Sequence, residues 1–452
     1  MPAEADGSRS TQQRTATPPP PTGWRRLRWL GPGFLWMVSA IGSGELLFTP
    51  RIGSRYGYAL LWALLAAVIL KWFINREIGR YTVCTGAHIL AGLARVPGPR
   101  GWAVWLILVP QALVAVSMIA GLAASSATAL AVLLPGPVKL WTVAAIGLSF
   151  VVALRGRYAT VERAATVLAL LLAIAATVAA VTVLGSPGEV AAGLVPRLPP
   201  QVDVGEVLAW LGFALSGAAG MMWYSYWLCA KRYGVAGVAE RVDPGSLSAD
   251  DRTRLRGWIR QLTLDNSVAV VGSAVILLAF LVLGAQLLRP ERLVPEEDRV
   301  AHVLGELLGK VWGGVGFWVM VGGVLIAFWS SVLTSQDGYA RLFTAGTPLL
   351  ARRATRRWRD HRSLRRTYLI VLLTVVPLAL YLATGKPVAL LAVAGAIEAT
   401  QLPILAGVTI FLNRRELPSG LRPTITESIG TVTAAVFFAA FAVVYVVRPL
   451  VG

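Results

Sequence analysis

Apolar runs of about 20 residues recur along the chain, separated by short polar stretches that carry most of the arginines. A helix rises 1.5 Å per residue, so a run of this length crosses a hydrocarbon core of about 30 Å. Inside lipid every backbone N–H and C=O must be paired, which leaves helices or a closed barrel. Barrel strands would alternate apolar and polar residues over about 10 positions, and these runs do not. The pattern predicts an all-α integral membrane protein with eleven spans. They fall at about 30–52, 58–76, 102–134, 138–154, 160–184, 206–229, 262–287, 311–334, 366–384, 387–412 and 428–447.

The loops give an independent check. With the N-terminus cytoplasmic, loops after even-numbered spans should be rich in Arg and Lys. Arg76, Arg80, Arg95 and Arg100 follow span two, and Arg155, Arg157 and Arg163 follow span four. Span six is followed by a stretch from Lys231 to Arg260, span eight by one from Arg352 to Arg366, and span ten by Arg414, Arg415 and Arg422. The opposite loops are short or mixed in sign. The expected placement is a multi-pass protein of the cell membrane with its C-terminus external. Arg51 and Arg55, on the outer side after span one, are the exception.

Composition changes the picture little. The 452 residues are 56% hydrophobic and 14% charged, with mean hydropathy +0.65. A net charge of +19 could signal nucleic acid, but the cationic loops account for it. Lipid is the expected partner, and nucleic acid is not. Cys84 and Cys229 form no pairing motif, and no G-x-x-x-x-G-K-[ST] signature occurs, so neither an ATP-driven pump nor an enzyme is expected, and no cofactor. Residues 1–28, rich in Ser, Thr, Gln and Pro, are predicted as a disordered cytoplasmic tail ahead of a transporter domain at 29–452.

Two spans are interrupted. Span one carries Gly42-Ser43-Gly44-Glu45, and span six carries Ser216-Gly217-Ala218-Ala219-Gly220. Each opens a set of five spans, about 30–185 and 205–412, with 428–447 left over as an extra helix. Glycine-interrupted helices at matching positions of two halves mark the binding site of an inverted-repeat transporter. Close packing through small residues is the plain alternative.

Gly31-Pro32-Gly33-Phe34 and the stretch from Tyr56 to Trp62 resemble the Nramp (natural resistance-associated macrophage protein) family of metal transporters. Val161-Glu162-Arg163, Leu264-Asp265-Asn266-Ser267 and Gln401-Leu402-Pro403 add to the likeness. The resemblance runs from about residue 29 to 447 and implies the leucine-transporter fold, a 5+5 inverted repeat plus an eleventh transmembrane helix. It also implies import of a divalent metal cation, manganese- or iron-like or magnesium-like, with proton coupling as a further expectation. The family's Asp-Pro-Gly-Asn falls on Gly42, Ser43, Gly44 and Glu45, so its Asp is absent and a carboxylate stands where it has Asn. On span six Ala218 and Met221 match the family's ligands, while its Pro, His and Asn are replaced, with Trp223 and Tyr224 in this stretch. A polar ligand of span ten falls at Gly395.

The candidate metal ligands are therefore Glu45, Met221 and the carbonyls of Gly42 and Ala218. An ionisable side chain in mid-span costs about 2.5–3.5 kcal/mol on insertion scales, which makes Glu45 a functional candidate. It could bind metal, carry a proton, or pair with Arg51 or Arg55. Glu398 is a second intramembrane carboxylate that either shares the cavity or meets a cation. Met221 is ligand or packing, and Trp223 and Tyr224 wall the pocket or fill space. Asp265 is a candidate gating contact and Asp337 a helix cap or loop contact. The rival reading is a small organic solute, an amino acid or amine, held by the backbone of Gly42, Ser43 and Gly44.

Overall fold

A computed structural model describes residues 17–155, 159–239, 241–350 and 360–451. The first sixteen residues of the expected tail, Arg157, the cluster Arg352 to Arg359 and the side chains of Val161 and Glu162 lie outside that description. Among the described residues the elements are helical and there is no strand.

Among the described residues nine helical stretches are long and apolar enough to cross a membrane. They correspond to spans three to eleven. Span one fails the test because it is built from three short pieces, Pro32–Ala40, Ser43–Phe48 and Thr49–Tyr56. Span two, Leu61–Thr85, fails because it is charged: Lys71, Arg76, Glu77 and Arg80 all lie within it and all are buried. Its predicted end at residue 76 was therefore too early. Arg76 and Arg80 belong to a buried helical turn, not to a loop, and are neutralised there by Glu77 and Glu427.

Span three, Trp102–Leu133, runs through the middle and packs along span eight (within Val300–Leu350) and span ten, Pro387–Glu416. Span six consists of Val204–Phe213 and Ala218–Ala230, the first half lying against span ten. Span seven is Ala249–Leu283 and its wider continuation Gly284–Leu288. Span eleven, Ile425–Val451, packs against spans two and ten. The long helix that contains span eight has non-helical backbone at Trp312 and Gly313, which separates an N-terminal arm from the span proper.

The tail expected over residues 1–28 is held from Thr17 onward. Thr17 donates its N–H to Asp251 at 2.8 Å, Trp258 donates to the Pro18 carbonyl at 2.8 Å, and Arg25–Arg28 form a helical turn.

Candidate functional site

The chain is interrupted where the glycines suggested, but each break has its own geometry. In span one the helix stops at Ala40, and Ile41 and Gly42 leave helical backbone before wider turns begin at Ser43. Gly42 has no room for a side chain, since a Cβ would lie 2.7 Å from Ser331 Oγ. Gly44 permits close approach to span six, where a Cβ would meet the Phe213 carbonyl at 2.8 Å. In span six the break lies at Ala214 to Gly217, overlapping the start of the predicted stretch at Ser216 and Gly217. Its strain falls on Leu215 (φ 55°) and Ser216 (φ 66°), not on the glycines. Non-glycine residues persist in that region only when their surroundings hold them there.

Three buried ionisable side chains surround this second break. Glu45, fully buried, accepts the Leu215 N–H at 3.1 Å and the Ser273 hydroxyl at 3.1 Å on one oxygen, and its other oxygen has no partner. It does not pair with Arg51 or Arg55. Glu398, 2% exposed, accepts the Ala219 N–H at 3.1 Å, Gln111 at 3.2 Å and the Tyr339 hydroxyl at 3.3 Å. Ala219 lies in the first turn of a half-helix, where unpaired N–H groups and the helix dipole favour an anion. Lys71, fully buried, donates to the carbonyls of Gly212, Ala214 and Ser216 at 2.8, 2.6 and 2.7 Å. Both glutamates act electrostatically on it.

Between the breaks is a small cavity of about 20 Å³. That is room for one water or a bare ion. Ser43, Ser216, Gly217, Trp223, Tyr339 and Glu398 are among its walls. Of the sequence-predicted residues, Ser43, Trp223 and Glu398 meet here, and Trp223 stands edge-on to Tyr339 with centroids 5.2 Å apart and its Nε1 unpartnered. The others are placed differently. The Gly42 carbonyl accepts the Leu46 N–H at 3.1 Å, Ala218 begins a regular helix, and Met221 is buried in the hydrophobic core. Tyr224 turns its hydroxyl to Asp265 at 3.0 Å, and Gly395 lies against Phe213 and the Ala209 carbonyl. Among the described residues no three His, Cys, Asp or Glu side chains cluster as a metal site.

Charged contacts flank the breaks on both sides. In the C-terminal half of span one Arg51 pairs with Glu206 and, at 3.5 Å, with Glu296, while Arg55 reaches the same two acids at 2.9 and 3.1 Å. The two arginines that broke the loop rule thus tie this half of span one to span six. At the N-terminal end of span one Asp265 accepts the Gly31 and Gly33 N–H groups at 2.9 and 2.7 Å. Lys231 donates to the Arg28 and Leu30 carbonyls at 3.1 and 3.0 Å. Burial pushes this ammonium below the ordinary lysine value, and the Asp265 charge works against that. Asp337 is no helix cap; it lies inside a helix and pairs with Arg341 and Arg365, each at 2.7 Å.

Lys71, Gln111, Ser273 and Tyr339 are the site residues that sequence reading missed. Lys71 alone left a signal, a cation inside Leu61 to Ile74, which the nearby Arg76 and Glu77 made look like a helix end.

The sequence profile described as natural resistance-associated macrophage protein-like matches residues 33–448. Nramp2, a metal transporter of Arabidopsis thaliana, is 35% identical over 129 residues, which are 28% of this chain and 24% of that protein. The aligned part is thus about a quarter of that relative's length. A mutant of the Eremococcus coleocola manganese transporter superimposes with TM-score 0.71 at 15% identity, over 96% of this chain and 89% of that one. MhsT in complex with L-phenylalanine gives TM-score 0.55 at 14% identity, over 91% and 98%. These likenesses establish the leucine-transporter fold.

Proposed function

The chain belongs to the natural resistance-associated macrophage protein-like family, and from that membership we propose that it imports a divalent metal cation across the cell membrane by alternating access, with proton coupling. A curated relative is named a metal transporter and a solved neighbour a manganese transporter. One observation in this chain carries the reading. Two buried carboxylates, Glu45 and Glu398, and one buried ammonium, Lys71, all bond the backbone around the span-six break. With both acids ionised the site is short of one positive charge, and a buried charge without a counterion is costly. A cation in the cavity supplies it, and a divalent metal leaves one positive charge over.

In this reading Glu398 is the direct ligand, because it alone of the two lines the cavity, with the hydroxyls of Ser43 and Ser216 beside it. Hard oxygen donors suit magnesium or manganese. Glu45, one oxygen unpartnered, is the proton carrier. Gly42, Ala218 and Met221 join the shell only if the first half-turns rearrange as one bundle rocks against the other. The N-terminus is cytoplasmic and the C-terminus external, in keeping with the arginine-rich loops.

Trp223 favours a second reading, a small organic amine or amino acid. Its ring and the edge of Tyr339 form an aromatic wall beside a carboxylate, the chemistry that receives an organic ammonium. Purified protein in liposomes separates the two. Uptake is measured for manganese, iron, cobalt and magnesium, then for amino acids and amines. Metal flux that Glu398→Gln abolishes supports the first reading. Absence of flux for every metal, with uptake of an organic solute, rejects it.

A further inference from the structure

The carbonyls of Gly212, Ala214 and Ser216 are free because the first half of span six ends at Phe213 and no helical N–H returns to them. They converge on one point, and that point is occupied by Lys71 Nζ. An ammonium has three N–H donors, and here each has its own carbonyl. The aliphatic stem reaches this point from span two, and the Phe438 ring of span eleven lies 5.7 Å from Nζ on another side. Three convergent backbone oxygens in an unwound membrane helix are also what binds a bare alkali cation.

We propose that Lys71 is a tethered cation: its ammonium permanently fills a monovalent-cation site made by the carbonyls of the span-six break. The break is then held open without any free sodium or potassium, and transport is not linked to either gradient. Removing the side chain leaves an oxygen-lined cage that takes a free alkali ion instead. This holds whichever solute the neighbouring cavity carries, because the cage and the cavity are lined by different atoms of the break.

The test is thermal stability of the purified full-length protein in sodium, potassium or choline chloride at constant ionic strength. The wild type should melt at the same temperature in all three. Lys71→Ala should melt well below it in choline and recover by on the order of 5 °C, saturably, as sodium or potassium is added. If Lys71→Ala does not survive purification in choline, it is prepared in sodium and in potassium from lysis onward, and recovery of folded protein in either salt counts as rescue. Lys71→Arg, which keeps the charge, should show no response to the added salt. Equal behaviour of Lys71→Ala in all three salts, folded or not, would overturn the proposal, as would a sodium- or potassium-specific stabilisation of the wild type that Lys71→Ala abolishes.

Discussion

Glu45 on span one and Leu215 on span six, 170 positions apart, are joined by a 3.1 Å hydrogen bond from the Leu215 N–H to the carboxylate. The acid of the first break thereby holds a left-handed residue of the second. Glu398 does the same for the Ala219 N–H on the far side of that break. The second interruption is not self-sufficient; it is completed by side chains from other helices.

Replacing Glu45 separates its two tasks. Glu45→Gln keeps an oxygen for Leu215 but removes the charge, so folding should be little changed while metal uptake falls at least about tenfold and loses its response to a proton gradient. Glu45→Ala also leaves the Leu215 N–H unpaired, a loss of about 1–3 kcal/mol. Uptake in liposomes and thermal melting check the pair.

Gly217→Ala should stop transport without removing any functional group. A Cβ there would lie 2.6 Å from the Glu398 carboxyl carbon, which forces the carboxylate off Ala219 and into the cavity. Metal binding by calorimetry should weaken by roughly tenfold or more, about 1.4 kcal/mol. Unchanged binding would remove Glu398 from the ligand set.

The closure at Arg51 and Arg55 rests on few contacts. Glu206 is buried and takes both Arg51 and Arg55, so Glu206→Ala leaves the two arginines only the exposed Glu296 and weakens the closed form by a part of the about 3–5 kcal/mol of a broken buried pair. Opening relieves that strain. A cysteine introduced at Ser43 should therefore react faster with an external thiol reagent in Glu206→Ala than in the wild type, while Glu206→Asp leaves the rate nearly unchanged.

His88 predicts an acid limb of stability. Its Nδ1 accepts the Ala91 N–H at 3.2 Å, which requires the neutral ring, and burial pushes its pKa down to about 4. A depressed folded value means that stability is intact above the unfolded value of about 6.5 and is lost as pH falls toward 4. His88→Asn, which retains a capping acceptor, should flatten melting temperature against pH over that window.

The spans and both interruptions were legible because they are local. A glycine cluster within an apolar run is written in consecutive residues, as at Gly42 to Glu45. The gates and the cavity were not, because Arg51 finds Glu206 155 positions away and Gln111 finds Glu398 287 positions away. Hydropathy also cut span two short: Arg76, Glu77 and Arg80 are neutralised among themselves and by Glu427, so a helix that continues buried in protein read as one that had already left the membrane. The displaced position of the second break has a similar origin. Leu215 and Ser216 carry its unusual backbone, and neither residue type announces it.

Span eleven stands outside the two sets of five, yet it is fastened to the working parts. Glu427 at its start grips Arg76 and Arg80, each at 2.6 Å, and Phe438 shields the Lys71 ammonium. A chain cut short after residue 424 would turn that ammonium toward acyl tails. Such a truncation would not simply trim a peripheral segment; it would strip the insulation from the buried charges of span two.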